Sequence, residues 1–291
     1  MLGSLLGGMA LGRLATSRPV RYLAIAAAAV FGYGYYESGS GGTNPAPRAQ
    51  ERVAATAAGP SACAAQMDSA QPTLPETFKR QTAMVCATGF AVLHSGLTKG
   101  PLWASERLTA ARVRDSREMI RDSEFFAEPS LPPRERSENA DYARSGYDRG
   151  HLAPSGDMPD PDQQQESFTL ANVVPQHAES NRKLWRDIES AVRREAIRRG
   201  EVIVVTGALF EGGRLQSIGR NVLVPTSLYK AVLDPRTNEA AAYVAPNAPG
   251  YDYRIVSIEQ LREMTGIDAF PARKGLRPMR LPAPAPLRQR S

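Results

Sequence analysis

One short segment of the sequence carries residues that could perform acid–base chemistry on a phosphate. Residues 145–158 read SGYDRGHLAPSGDM, in which Asp148, Arg149, Gly150 and His151 are consecutive. A neutral imidazole is a natural base near pH 7, because its unperturbed pKa lies close to that pH. A neighbouring guanidinium is a natural partner for a phosphate oxygen. Taken alone, these four residues fit equally well with a turn that has a surface arginine and a capping aspartate.

A second segment supplies oxygen ligands of the kind that a hard metal ion takes. Asn172 begins the run NVVPQ, and a helix predicted to start at Ser180 carries Asn181, Trp185 and Glu189. Mg²⁺ binds through oxygen atoms and keeps several waters, so one amide oxygen and a nearby carboxylate would be enough to hold it. Without the first segment, an amphipathic helix with a polar first turn would be the simpler interpretation.

Together the two segments resemble a known family. The pattern DRGH followed by N-x-x-P-Q-x4-N-x3-W-x3-E is similar to the sugar-non-specific DNA/RNA endonucleases of the ββα-metal (His-Me finger) type, which include endonuclease G. Further runs over about residues 63–271 resemble bacterial members, among them CATGFAVLHSG, VVTGALF and SIEQLREMTGIDAF. The resemblance implies an α+β, ββα-metal nuclease fold, in which helices flank a mixed, largely antiparallel central sheet.

The resemblance also implies a role for each matching residue. It makes His151 the general base that activates the attacking water, and Asn181 the direct protein ligand of Mg²⁺ or Mn²⁺. Glu189 becomes the carboxylate that orients the waters on the metal. The family also uses an upstream arginine against transition-state charge, for which Arg121 is the best match, although three arginines within 112–117 crowd the same region. The remaining matches bind phosphate or support the site: Arg149, Asp148, Gly150 and Asn172.

The activity implied by the resemblance is hydrolysis of phosphodiester bonds in DNA and RNA, leaving 5′-phosphate and 3′-hydroxyl ends. Recognition of the backbone without base contacts makes such an enzyme indifferent to sequence. Two alternatives differ in class. One is a non-catalytic nucleic-acid-binding protein on a nuclease scaffold, and the other is a phosphodiesterase for small substrates.

The strands that must position these residues are short. Apolar runs predict strands over 90–96, 168–174, 201–210, 221–233 and 239–246. They interleave with helices without a regular βαβ period, which favours an α+β fold with a largely antiparallel sheet.

Two helices have clear limits. The first is predicted to begin at Ser180 and to end at Gly200, because apolar residues recur every four positions up to Ala196. The second is predicted to begin at Ser257, where Gln260 completes a capping box, and Gly266 ends it.

The charge of the chain is concentrated at its ends. The 291 residues carry 36 basic and 30 acidic side chains, a net charge of +6. Residues 1–50 account for +3 and residues 271–291 for +6, so residues 51–270 carry −3. Net charge therefore gives no independent evidence for a nucleic-acid partner. That inference depends on local groups.

The two ends are predicted to lie outside the catalytic domain, which is assigned to residues 61–271. Residues 1–36 resemble a signal or membrane anchor, with arginines before the apolar run 22–36, and residues 37–60 resemble a flexible tether. We expect a protein exported to a bacterial periplasm, held at the inner membrane or secreted. A mitochondrial leader is the alternative, and a buried alanine-rich helix is the third interpretation. Residues 272–291 are predicted to be a disordered, basic, Pro-rich tail.

The cysteine content allows one disulfide. Only Cys63 and Cys86 occur, 23 residues apart, which fits a single bridge in an oxidising compartment. Two buried free thiols remain the alternative. Two cysteines with three dispersed histidines do not have the spacing of a zinc site. The sequence does not indicate an oligomeric state.

Overall fold

The computed structural model describes residues 60–119 and 123–285. The predicted anchor over 22–36, the tether up to residue 59, Arg121 and residues 286–291 therefore lie outside the described residues. Within the described ranges, no helix combines the length and apolar character that crossing a bilayer requires.

The helices are short except for one run of 22 residues. The α-helices are α1 (Pro60–Ala65), α2 (Ala110–Asp115), α3 (Asn139–Tyr142), α4 (Pro161–Ser167), α5 (Ala178–Ser180), α6 (Arg186–Arg199) and α7 (Ile258–Thr265). A π-helical stretch, Asn181–Trp185, joins α5 to α6. We call the whole run, residues 178–199, the site helix. Single 3₁₀ turns occur at Glu76–Phe78, Ser116–Glu118, Ser155–Asp157 and Leu170–Asn172.

Twelve strands lie within the described ranges. They are β1 (Thr82–Cys86), β2 (Ala91–Ser95), β3 (Gly100–Thr109), β4 (Tyr147–His151), β5 (Val173–His177), β6 (Glu201–Leu209), β7 (Ser217–Ile218), β8 (Val222–Leu223), β9 (Ser227–Asp234), β10 (Glu239–Pro246), β11 (Arg254–Val256) and β12 (Arg277–Pro278). The central sheet has the order β1-β2-β3-β6-β9-β10-β11, all antiparallel, and β12 pairs parallel with β10. Two small antiparallel pairs, β4–β5 and β7–β8, stand apart from it. The predicted α+β class with a mixed, largely antiparallel sheet is confirmed.

The central sheet is covered on both faces, and its strands alternate between two cores. On β9, Leu228 and Val232 enter one core, whereas Tyr229 and Leu233 enter the other. The site helix packs on the first face, and α7 packs on the second. We call these the site face and the back face. Each face buries an apolar cluster, which is the main favourable term in folding.

Several predicted elements are confirmed almost to the residue. The strands predicted at 201–210 and 239–246 are β6 and β10. Ser257 caps α7. Its side chain accepts a hydrogen bond from the Gln260 backbone amide, and the Gln260 side chain accepts one from the Ser257 backbone amide. Gly266 ends that helix in the left-handed region, with φ of 73°. At both ends of α7 the local sequence signal was sufficient.

Three local predictions are wrong. The strand predicted over 168–174 begins only at Val173, because residues 170–172 form a 3₁₀ turn capped by Thr169. The run 221–233 is divided into β8 and β9, with Pro225, which has no N–H to donate, between them. The site helix begins after His177 rather than at Ser180, since the His177 imidazole accepts from the Glu179 amide. Ser180 is buried inside the helix.

The ends of the described domain are tied down. A disulfide joins Cys63 to Cys86, with their Cα atoms 4.9 Å apart, so the bridge is confirmed over the free-thiol alternative. The prediction of a disordered tail from residue 272 is wrong for residues 272–285. Arg277 pairs with Glu239, and Met279 and Leu281 are buried in the site-face core. Those side chains bury apolar surface, which offsets the entropy of ordering the segment.

Candidate active site

The DRGH segment forms a strand, and the NVVPQ segment pairs with it. In the β4–β5 ladder, His151 lies opposite Val173 and Asp148 lies opposite Gln176. Strand β5 then runs directly into the site helix. Two antiparallel strands followed by a helix thus carry most of the residues singled out in the sequence.

Alternation along β4 divides its side chains between two directions. Arg149 and His151 point the same way, and both contact the ring of Phe125. The His151 and Phe125 ring centroids are 5.1 Å apart, and the Arg149 guanidinium lies 5.4 Å from the same ring. The candidate base and the candidate phosphate-binding cation therefore share one face of the strand.

The imidazole of His151 packs against two aromatic rings that also contact each other. Its centroid is 5.1 Å from that of Phe125 and 5.0 Å from that of Phe168, and those two rings are 4.8 Å apart. Rings packed in this way limit the rotation of the half-buried imidazole. The aromatic wall was missed by sequence reasoning, because Phe125 and Phe168 lie 26 and 17 residues away along the chain.

The side chains of the other two histidines, His94 and His177, have structural contacts of their own. His94 is buried, its Nε2 lies 2.9 Å from the Glu135 carbonyl oxygen, and burial lowers the pKa of its imidazole. His177 caps the site helix. His151 is thus the histidine whose position on β4 suits it for acid–base chemistry.

Asn172 holds the backbone that follows His151. It is fully buried, and its Oδ1 accepts from the Ala153 amide at 2.9 Å. Its Nδ2 donates to the carbonyl oxygens of Ala153 and Ser167, at 2.9 and 3.0 Å. Its own carbonyl oxygen accepts from the Leu152 amide at 3.0 Å. The supporting role implied for Asn172 thus has a physical basis in four hydrogen bonds.

Gly150 permits a close approach between the two strands. A Cβ atom at this position would lie 2.1 Å from Gln176 Oε1 and 2.6 Å from Gln176 Cβ. Gln176 is fully buried, so it has little room to move. Steric fit between β4 and β5 is the reason for glycine here, since its φ is not positive.

Asp148 connects the strand to the site helix. Its Oδ2 accepts from Asn181 Nδ2 at 3.0 Å, and its two oxygens accept from Arg182 Nε and Nη2 at 2.8 and 2.7 Å. Burial raises the pKa of the Asp148 carboxyl, but the bonds from Arg182 and Asn181 outweigh it, so the net shift is downward. The group is therefore ionised at neutral pH.

The bond to Asp148 also sets the orientation of the Asn181 amide. A carboxylate only accepts, so the NH₂ group must face Asp148, and the amide oxygen points elsewhere. Asn181 is the first residue of the π-helical stretch, a feature that is frequent at functional sites. The amide oxygen is thereby presented as a ligand atom suited to Mg²⁺.

Glu189 lies on α6 and pairs with Arg193, one helical turn further along the chain. Arg193 Nη2 is 3.5 Å from Glu189 Oε2, and Arg193 Nε donates to Asp157. Burial lowers the pKa of Arg193, but the two carboxylates outweigh it, so the net shift is upward and the guanidinium stays charged. Sequence reasoning did not assign Arg193 to the site, although its i, i+4 spacing from Glu189 was a usable signal.

The donor set fits a hard cation that keeps most of its water. Among the described residues, no three His, Cys, Asp or Glu side chains gather into a metal cluster. The site instead offers two oxygen-bearing groups. One is the oriented amide oxygen of Asn181, and the other is the carboxylate of Glu189 further along the same helix. Mg²⁺ commonly binds proteins through one or two oxygen ligands.

The arginines upstream of the site divide into two groups. Arg112 is buried and donates its Nε to the Asp157 carbonyl oxygen at 2.6 Å, so it has a structural role. Arg114 and Arg117 are exposed. The candidate preferred from sequence, Arg121, lies outside the described residues, and its assignment stays a prediction.

Comparisons with known proteins show which family the sequence matches. The sequence matches the DNA/RNA non-specific endonuclease family over residues 68–275. It is 35% identical over 193 residues to "Nuclease EXOG, mitochondrial" of Danio rerio, covering 59% of this chain and 56% of that protein. It is 30% identical over 215 residues to "Endonuclease G, mitochondrial" of Homo sapiens, covering 67% of this chain and 70% of that protein.

A solved structure gives the same result. The chain is similar to one in the crystal structure of the EndoG/EndoGI complex, with a TM-score of 0.56 and 28% identity, over 63% of this chain and 84% of that one. Because the family match covers more than half of its length, this chain belongs to the DNA/RNA non-specific endonuclease family. It spans 56% of the length of the Danio rerio relative.

Proposed function

We propose that this protein is a Mg²⁺-dependent endonuclease that hydrolyses phosphodiester bonds of DNA and RNA without sequence specificity. The observation that carries the proposal is the 3.0 Å hydrogen bond between Asp148 and Asn181. It joins the strand that bears His151 to the helix that bears Glu189, and it orients the amide oxygen as a ligand. Family membership supports the same class of activity.

In the proposed reaction, His151 removes a proton from a water molecule that attacks phosphorus in line with the leaving 3′ oxygen. Arg149, on the same face of β4, binds a non-bridging phosphate oxygen. Mg²⁺, when bound at Asn181, supplies positive charge that stabilises the charge developing on the phosphate and the leaving oxygen. Mn²⁺ has the same preference for oxygen ligands. The products are 5′-phosphate and 3′-hydroxyl ends.

Glu189 orients the water near the reacting phosphate, and Arg193 keeps that carboxylate in position. Lys183 and Arg186, whose side chains are 62% and 51% exposed, pair with Glu179 and Asp187 on the site helix and would exchange those partners for substrate phosphates. Contacts of this kind neutralise phosphates without distinguishing bases. They account for a substrate class that includes both DNA and RNA.

The cellular location is also a proposal. Relatives carry the word mitochondrial in their names, which supports the leader interpretation of the N-terminus over the periplasmic one. Membrane attachment through 22–36 and bacterial origin stay predictions. N-terminal sequencing of the mature protein would establish whether the segment is removed.

The test is cleavage of supercoiled plasmid and of RNA in Mg²⁺, with and without EDTA. We expect His151→Ala to reduce the rate by at least about 100-fold while circular dichroism shows a folded protein, since a general base typically contributes that much. His177→Asn, which removes another imidazole but keeps a capping side chain, should retain most of the activity. Undiminished cleavage by His151→Ala would contradict the proposal. Binding of DNA by the wild type without any cleavage would support the non-catalytic alternative.

A further inference from the structure

Lys230 is a buried charge that the proposed reaction does not use. It lies on β9 in the middle of the central sheet, and its side chain is 1% exposed. Its neighbours in alternation, Leu228 and Val232, belong to the site-face core, so the amine points toward that face. A buried ammonium is costly unless its partners are well placed.

The contacts of Lys230 reach both halves of the site. Its Nζ donates to Thr206 Oγ1 at 2.6 Å and to the Leu152 carbonyl oxygen at 3.3 Å. It also lies 5.5 Å from the ring centroid of Trp185. Thr206 faces Lys230 directly across the β6–β9 ladder. Leu152 follows His151, and Trp185 is the last residue of the π-helical stretch that begins at Asn181.

The electrostatic partners of Lys230 include the proposed water-orienting carboxylate. Burial is the largest influence on the amine and lowers its pKa; the acidic groups of Glu189, Glu106 and Asp157 oppose that shift without reversing it, so the net shift is downward. Glu106 and Asp157 are 2% and 3% exposed. Arg193 belongs to the same group, since it pairs with both Asp157 and Glu189. The amine of Lys230 and the carboxylate of Glu189 therefore attract each other.

We propose that Lys230 is a positioning residue for the nuclease reaction. It holds the Leu152 carbonyl, next to His151, and supports the π-helical stretch through Trp185, while its amine attracts the Glu189 carboxylate. The inference rests on the proposed function, since Glu189 and His151 matter only if the site is catalytic. Stability alone is a poor reason for the lysine and its acidic partners together, because apolar residues of similar volume commonly replace a whole buried ion pair with little cost.

The test is steady-state cleavage of a defined oligonucleotide in Mg²⁺ by Lys230→Met, which keeps the volume and removes the donor and the charge. We expect kcat to fall by at least about tenfold, as misplacement of reacting groups typically causes, with KM changed less than about twofold. The double variant Lys230→Met/Glu106→Gln removes the amine together with the buried carboxyl group of Glu106, so that neither group is left without the other. It should recover the thermal midpoint of the wild type, but its kcat should stay low.

Two outcomes would overturn the proposal. One is a kcat for Lys230→Met within about twofold of the wild type, and the other is recovery of both midpoint and kcat in the double variant, which would indicate charge balance only. If Lys230→Met does not fold, Thr206→Val, which removes the 2.6 Å acceptor, must show the same selective loss of kcat or the proposal fails. Lys79→Met, at an exposed lysine paired with Glu76, is the matched control and should behave as the wild type. Absence of cleavage by the wild type would instead defeat the proposed function.

Discussion

The site face and the back face of the central sheet bury different kinds of side chain. The site face encloses several ionisable groups beside its apolar cluster, with Glu106, Asp157 and Lys230 each at most 3% exposed. The back face is packed mainly with apolar groups, among them Trp103 and Phe270. Apolar burial stabilises at roughly 25 cal/mol per Å², whereas buried charges contribute little net stability.

The difference indicates that the back face of the sheet mainly stabilises the fold, whereas the site face mainly positions the candidate active site. The disulfide and the double cap of α7 belong to the back face. The disulfide reduces the conformational entropy of the unfolded chain, and the caps stabilise the helix. The π-helical stretch, the Asp148–Asn181 bond and the buried charges belong to the site side. Substitutions on the site side should therefore lower activity more than stability, and those on the back face should do the reverse.

Among residues that do not take part in the proposed reaction themselves, the largest effect is expected for Gly150→Ala, between β4 and β5. The new Cβ would lie within 2.6 Å of two Gln176 atoms, so the strands must separate and His151 must move. A displacement of about 1 Å in a reacting group typically costs about 100-fold in rate. The rate of plasmid cleavage per folded molecule measures this loss of activity. Gly213→Ala, where a Cβ would meet nothing within 4 Å, is the matched control, and equal rates for the two variants would contradict the comparison.

A large effect on stability alone is expected for Cys63→Ala/Cys86→Ala. The bridge closes a loop of 23 residues, so its loss should reduce the free energy of unfolding by about 3 kcal/mol in the chain-entropy model. Urea unfolding followed by circular dichroism measures this change. Cleavage at a temperature where the variant is fully folded should equal that of the wild type. A slower rate there would show that the back face also shapes the site.

A pH-dependent effect is expected for Glu106→Gln on the site face. Burial, and then the charge of Asp157, raise the pKa of Glu106 to about 8. The unfolded chain loses this proton near its ordinary value of 4.5, so between those two pH values the folded wild type binds more protons than the unfolded chain. Wild-type stability should therefore decline as pH rises through this range.

The Gln variant lacks that titration, so its free energy of unfolding relative to the wild type should be higher at pH 8 than at pH 5. Urea unfolding of both proteins at the two pH values measures the difference. An advantage that is the same at both pH values would mean that Glu106 is ionised in the folded protein throughout.

The smallest effect is expected for Ser257→Ala at the start of α7. The variant loses the side-chain bond to the Gln260 amide, and loss of such a cap typically costs about 1 kcal/mol. Activity should not change. Ser257→Asn, which also caps helices well, should restore most of the lost stability in the same thermal melt. An activity loss in the Ala variant would break the assignment of α7 to a purely structural role.

The sequence predicted best where the signal is local. Strands β6 and β10 and the limits of α7 follow from apolar runs, a capping box and a terminal glycine within a few residues of one another. The start of the site helix was placed wrongly for the opposite reason. His177 caps it because β5 delivers that residue to the helix end, and this geometry depends on pairing with β4.

The candidate site shows the same limit. The residue types of the DRGH strand and of the Asn181 helix pointed to phosphate chemistry with a hard cation, and they lie in one strand–strand–helix unit. The aromatic rings around His151, the pairing of Arg193 with Glu189 and Asp157, and the buried position of Lys230 come from segments far apart along the chain. Nothing in the local pattern of SLYKAVLD distinguishes its lysine from one at a surface.

The sequence by itself therefore determined the family, the chemical types at the site, the class of fold and the elements limited by short-range signals. Tertiary structure alone decided which way each polar side chain points and what it contacts. It turned the Asn181 amide toward Asp148, placed Lys230 beneath the site and ordered residues 277–281 against β10 and the site-face core. Hydrogen bonds and burial between distant segments set these features, because their free energy appears only after the chain has closed the loops between them.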